Sequence, residues 1–239
     1  MLLVPAHSSD RSMVVMADSL DESLGEGQLA AAGTLLRLDG STSTVAVSVS
    51  QGAEGCMEAV LAPAPPSSWG IGFVGSSARA ISVDSLRGLS RTDSSTLTRM
   101  VFRLASGIQG TPGGRFSGLP FVLVDLWRVR LPAGSTAIVA TTRRQINQED
   151  SPLEERTFLV AESDPQASDG YSLMYSARSS GAEETVEGRE LLAATMFDPS
   201  TSVDLVVGHD FGGQTSYSII ERTGPQRWVL RWASRRFSC

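Results

Sequence analysis

Two short stretches bring together side chains that can move protons. In "HDFGG" (209–213) an imidazole, His209, stands beside a carboxylate, Asp210. A histidine with a carboxylate partner is the usual make-up of a general base. In "NQEDSPLEER" (147–156) four carboxylates follow closely: Glu149, Asp150, Glu154 and Glu155. Paired carboxylates exchange protons with a substrate or hold calcium through oxygen. Together the stretches allow a hydrolase or lyase of unfamiliar type, using the carboxylates near Glu154 with His209. Each also has a plainer reading. His209 would end a strand before a Gly-Gly turn, and neighbours on a strand point to opposite faces, which separates His209 from Asp210. "SPLE" reads as a capping box with Pro at the first helical position, on a solvated loop.

Composition removes many other chemistries. All 20 basic residues are arginine, a bias expected of a GC-rich genome. No lysine Schiff base, P-loop lysine or kinase lysine can exist, so the "DFG" at 210–212 is not a kinase motif. No G-x-S-x-G elbow occurs, and "GTPGG" (110–114) lacks the strand–loop–helix setting of a phosphate cradle. Cys56, Cys239, His7 and His209 are scattered without zinc-ligand spacing. A net charge of −6 and a pI near 5.0 argue against nucleic acid as partner. The C-terminus is locally basic. Arg227, Arg231, Arg235 and Arg236 interleave with Trp228 and Trp232, a pattern that fits an anion or polysaccharide binder. No apolar run nears the roughly 20 residues of a membrane-spanning helix. The start, "MLLVPAHSSD", is apolar too briefly for a signal peptide. It is an ordinary terminus of a cytoplasmic protein, or the tail of a longer leader on an extracytoplasmic or periplasmic one.

The elements that would position these residues are strands. Three stretches run aromatic–aliphatic–aromatic with period two: Trp69, Ile71, Phe73; Tyr171, Leu173, Tyr175; and Trp228, Leu230, Trp232. Such spacing puts each triplet on one strand face, and therefore in the core. Each follows two short apolar segments: "STVAVSVS" and "MEAVL", "TAIVATTR" and "TFLVAE", "VDLVVGHD" and "SYSIIE". Turn formers join them. Segments 119–131 and 187–197 lead the last two copies, though a short helix fits the latter equally. Only 93–108 has a helical stripe: Leu97, Met100, Val101, Leu104 and Ile108, with Asp93 or Ser94 as cap. The chain is thus expected to be mainly β, with repeated antiparallel three- to four-stranded meanders in a propeller-like array or sandwich. One amphipathic helix packs on it. Residues 1–28 form a loosely ordered segment, and 29–239 a single domain with a helical insert at about 76–118.

The last copy, "SVDLVVGHDFGGQTSYSIIERTGPQRWVLRWASRRF", resembles an FG-GAP or VCBS-type propeller blade, in which a "DLVV" strand leads to a Trp-bearing strand. The chain as a whole resembles exported proteins of GC-rich bacteria. The blade resemblance implies an extracytoplasmic scaffold that binds a protein or polysaccharide. It also implies a calcium loop before "DLVV", where this chain offers Asp198 and Asp204. The reading reached is a non-catalytic β-scaffold or interaction module. If the copies close on themselves, Cys56 and Cys239 become neighbours, and a disulfide would contribute about 4–5 kcal/mol through loop closure; two free thiols fit the sequence equally well.

Overall fold

The computed structural model describes residues 1–5, 12–15, 29–51, 57–65, 68–75, 78–108, 114–147, 152–164, 166–167, 170–197 and 202–238. Period-two patterning yields strands in nearly all of them. Strands β1 (Leu2–Pro5), β2 (Ser12–Val15), β3 (Leu29–Leu36), β4 (Thr42–Gln51), β5 (Met57–Ala62) and β6 (Ile71–Val74) close into a barrel in the order β1-β2-β5-β4-β3-β6. Its interior is filled by Leu3, Leu35, Val45, Val47, Leu61 and Trp69. It is narrow: a Cβ at Gly72 would lie 2.7 Å from Leu35 Cδ2, so a larger residue there requires Leu35 to shift.

Two five-stranded antiparallel sheets follow. One has the order β12-β11-β10-β9-β8, from β8 (Val83–Ser85), β9 (Val122–Arg130), β10 (Thr136–Ile146), β11 (Leu153–Ser163) and β12 (Tyr171–Ala182). The other has the order β16-β15-β14-β13-β7, from β7 (Ala78–Ile81), β13 (Gly188–Phe197), β14 (Asp204–Asp210), β15 (Thr215–Gly224) and β16 (Arg227–Ala233). Near-continuous buried runs in the central strands give both sheets two covered faces, which require four layers. Helix α1 (Arg91–Gly107) lays Leu97, Met100, Val101 and Ala105 on the outer face of the β8–β12 sheet. The inner face packs Val139, Phe158 and Val160 against Leu205, Val207 and Ile220 of the other sheet. That sheet's back, through Ala193, Val206 and Tyr217, meets Leu2, Leu36, Ile71 and Phe73 on the barrel exterior.

The mainly β expectation holds, and α1 is the only α-helix among the described residues. Its cap is Ser90, whose Oγ accepts from the Asp93 amide at 3.1 Å, rather than Asp93 or Ser94. Several expectations are corrected. The first copy is not a meander: β6 leaves β5 and pairs with β3 and β1. Segment 187–197 is strand β13. The 76–118 insert carries β7 and β8 as well as α1. Segment 1–28, expected to be loose, supplies β1, whose Leu2, Leu3 and Val4 are buried.

Ile71 and Phe73 share a face while Trp69, before β6, turns into the barrel; the other two aromatic triplets are split by bulges. Ile219 pairs with Trp232 but Ile220 with Leu230, so Arg231 is an extra residue. Past it the strand flips: Trp228 lies between the two sheets, while Trp232 packs toward the barrel. Val160 pairs with Tyr175 but Ala161 with Leu173, so Met174 is the extra residue in the other sheet. Tyr171 and Leu173 therefore face the helix, and Tyr175 the sandwich. An inserted residue inverts the alternation beyond it, which period-two counting cannot anticipate.

One end of the sandwich is fastened by a buried charge. Glu162, 2% exposed, accepts from Arg222 Nε and Nη2 (3.0 and 2.6 Å) and from Trp228 Nε1 (2.8 Å) across the sheet interface. Burial alone would raise its carboxyl; the hydrogen bonds from Arg222 and Trp228 outweigh that and hold it below the ordinary carboxylate range. Replacing Arg222 by Ala leaves the carboxylate buried without its cation, and should cost about 3–5 kcal/mol in urea unfolding at pH 7. An unfolding midpoint within error of wild type would show that the bridge holds nothing.

Candidate functional site

The other end of the sandwich is open, because a single segment covers the edges of both sheets only in part. β7 pairs with β13 from Ala194 to Phe197. The chain then crosses at Ser82 to the other sheet, where β8 pairs with β9 from Trp127 to Val129. Beyond that crossing, no strand among the described residues covers the first halves of β9 and β13 on this side, and a cleft of about 840 Å³ opens there. Val4, Pro5 and Gly70 of the barrel form its third wall. A Cβ on Gly70 would lie 2.7 Å from the Leu192 carbonyl oxygen, so only glycine lets the barrel come this close to β13.

Both of the proton-handling residues singled out in the sequence, Glu154 and His209, line this cleft. The expected capped turn at "SPLE" is instead the start of β11. Glu154 and Glu155 are each 1% exposed and face opposite ways. Glu154 looks into the cleft and is held by Arg156 (2.9 and 3.3 Å). Glu155 lies on the helix side between Arg144 and Arg178, with the Arg144 guanidinium 4.7 Å from the Phe121 ring centroid. Guanidinium partners make it possible to bury two consecutive carboxylates in a strand.

His209 has partners that the sequence did not reveal. Its Nδ1 lies 2.7 Å from Glu187 Oε1, and its Nε2 2.7 Å from Ser218 Oγ. Arg189 Nε also donates to Glu187 Oε1, at 2.7 Å. Burial lowers the pKa of His209 and outweighs the raising effect of Glu187, so the ring is neutral at pH 7. A carboxylate only accepts, which places the proton on Nδ1 and leaves Nε2 to accept from the Ser218 hydroxyl. This carboxylate–imidazole–hydroxyl order is that of an acyl-transfer relay. Ser218 is only 2% exposed, however, and lies outside the cleft lining. Hydrogen bonds on both ring nitrogens fix the orientation of the imidazole.

The free charges of the cleft sit elsewhere. Arg143 stands directly across the β10–β11 ladder from Arg156. Glu190, exposed in the cleft, has its carboxyl raised by partial desolvation and by the charges of Asp125 and Asp210. Tyr217 is pushed up to about 12 by burial and by Glu190. Arg143, Asp125 and Glu190 form no hydrogen bond or ion pair with a described residue. Thr141 Oγ1 donates to the Arg189 carbonyl at 3.0 Å and joins the two sheets across the cleft floor.

The remaining sequence candidates are dispersed. Asp198, Cys56 and Cys239 lie outside the described residues. Asp204 is fully buried at the start of β14, with neither carboxylate oxygen hydrogen-bonded. It faces Glu221 across the ladder, and its nearest cation, Arg231 Nη1, is 4.0 Å away. Burial first, then the Glu221 charge, raise Asp204 to about 6. Among the described residues no group of three His, Cys, Asp or Glu side chains is arranged to hold a metal ion. Arg236 lies 3.6 Å over the Phe211 ring, which stacks on His209, and Arg231 also approaches Glu221 (3.7 Å). Arg227 and Arg235 are exposed. None of these four arginines lines the cleft. No protein-family profile, curated protein or solved structure matches the chain.

Two titrations follow. The folded pKa of Asp204 lies above its unfolded value of 3.8. Its contribution to stability is therefore complete below that value and is lost as pH rises through about 6. Asp204→Asn, which stays neutral, should gain on wild type between pH 4 and pH 8 by up to about 3 kcal/mol. Parallel stability curves would refute the shift. For His209, proton-detected NMR should show titration below the ordinary histidine value. In Glu187→Gln it should fall lower still, because the one group that favours the imidazolium by direct hydrogen bonding has lost its charge; an unchanged midpoint would remove Glu187 from the account.

Proposed function

We propose that the protein is a non-catalytic β-scaffold that binds a polar ligand in the cleft at the open end of its sandwich. The observation that carries this reading is the state of the cleft's functional groups. Glu154 is tied to Arg156, and Glu187 to Arg189 and His209. The hydroxyl that His209 could activate is sealed in the interior. What faces the space is a rigid array of charges on strands, which suits recognition. The extracytoplasmic placement implied by the blade resemblance belongs to the same proposal.

Glu190 supports a second reading. Its raised carboxyl in a cavity of this size is the make-up of a general acid, and would serve a hydrolase. One panel separates the two. Thermal unfolding is followed with amino acids, tripeptides and oligosaccharides at about 10 mM, alongside turnover of p-nitrophenyl esters and glycosides. A binder raises the melting temperature by mass action without turnover, and the gain disappears in Arg143→Gln. Turnover abolished by Glu190→Gln would replace the scaffold with an enzyme.

A further inference from the structure

The charges in the cleft are unevenly balanced, and the imbalance has a direction. On the β8–β12 sheet, Arg143 and Arg156 are direct cross-strand neighbours, and like charges so placed repel. Glu154 neutralises Arg156; nothing described neutralises Arg143. On the opposite wall, Glu190 lies in the field of Asp125 and Asp210, again with no cation bonded to it. Arg143 therefore lacks an anion bonded to it, and Glu190, near Asp125 of the β8–β12 sheet and Asp210 of its own sheet, lacks a cation. The lining also holds apolar side chains, Val4, Val124 and Leu192.

We infer that the cleft takes a short zwitterionic peptide, with its carboxylate on Arg143, its ammonium on Glu190, and its side chains against Val4, Val124 and Leu192. The inference rests on the reading of the cleft as a ligand site and names the class of ligand. A volume of about 840 Å³ is within the span of small-molecule pockets. Rival ligands fit the charges less well. A neutral oligosaccharide would cover Arg143 and Glu190 without pairing them, and a desolvated charge left unpaired is costly. A simple anion would satisfy Arg143 but meet the carboxylates of Glu190, Asp125 and Asp210. A simple cation would meet Arg143 and Arg156.

The experiment uses the full chain and two sets of ligands: an equimolar tripeptide library with free termini, with its N-acetylated and C-amidated versions, and a set of neutral oligosaccharides. Retention is read by native mass spectrometry at about 1 mM total peptide, and retained species are titrated by calorimetry. Free tripeptides should bind, and capping either end should weaken them about tenfold or more, the worth of one charge-assisted contact. Arg143→Gln should bind free and amidated peptides equally, and Glu190→Gln free and acetylated ones equally. Both variants lie at solvent-reached positions, and unfolding curves identify any loss of fold. Equal binding of capped and free peptides overturns the inference, as does retention of no tripeptide. A neutral oligosaccharide retained in their place would overturn the peptide while leaving the ligand-binding cleft standing. If nothing from either set binds, both readings fall.

Discussion

The architecture turns on one buried carboxylate. Glu162 reaches from β11 to Arg222 on β15 and Trp228 on β16, and so fastens two sheets that share no hydrogen-bonded strand edge. Around it the inner faces are apolar and close-packed, from Val160 and Phe158 to Ile220 and Val207. Toward the opposite end the same strands carry Glu154, Arg156 and Arg143 on one sheet and Arg189 and His209 on the other. Charged groups resist the dehydration that close packing demands. The sheets therefore meet at the Glu162 end and part at the Glu154 end, and the cleft is the consequence.

The segment from Ala78 to Ser85 adds the second constraint. It edges one sheet as β7 and the other as β8, changing sheets at Ser82. An edge covered along its whole length would leave no entrance; an edge left bare would be prone to pair with another chain. Covering half of each edge, with the barrel packed against the rest through Gly70, leaves an opening whose walls are strands. Charges placed on strands keep their spacing, and this is what a selective site needs.

Buried acids in this protein fall into two kinds. Glu162, Glu154 and Glu155 each have a guanidinium within hydrogen-bonding reach. Asp204 is as deeply buried, but its only cation is 4.0 Å off and a second carboxylate stands opposite. Glu162, held below the ordinary range, strengthens the fold as it ionises; Asp204, raised to about 6, opposes it. The two contributions have opposite signs, so together they give a shallower acid limb than the Glu162 bridge would alone.

The sequence by itself determined the elements. Period-two runs marked every strand from β9 to β12 and from β14 to β16, the stripe from Leu97 to Ile108 marked α1, and the all-arginine composition removed lysine chemistry. These are local properties, fixed by side-chain spacing along one segment. His209 and Glu154 were also legible as candidates, since their types carry chemistry wherever they lie. Only the tertiary structure decided what they touch. Ser218 reaches His209 from β15 and Glu187 from the turn before β13, and Arg143 and Glu190 line one cleft from different sheets. Faces were lost for a related reason: one extra residue at Arg231 or Met174 inverts the alternation, and its position follows from pairing with a neighbouring strand. Pairing partners and bulges are long-range choices made by packing, and the local pattern does not contain them.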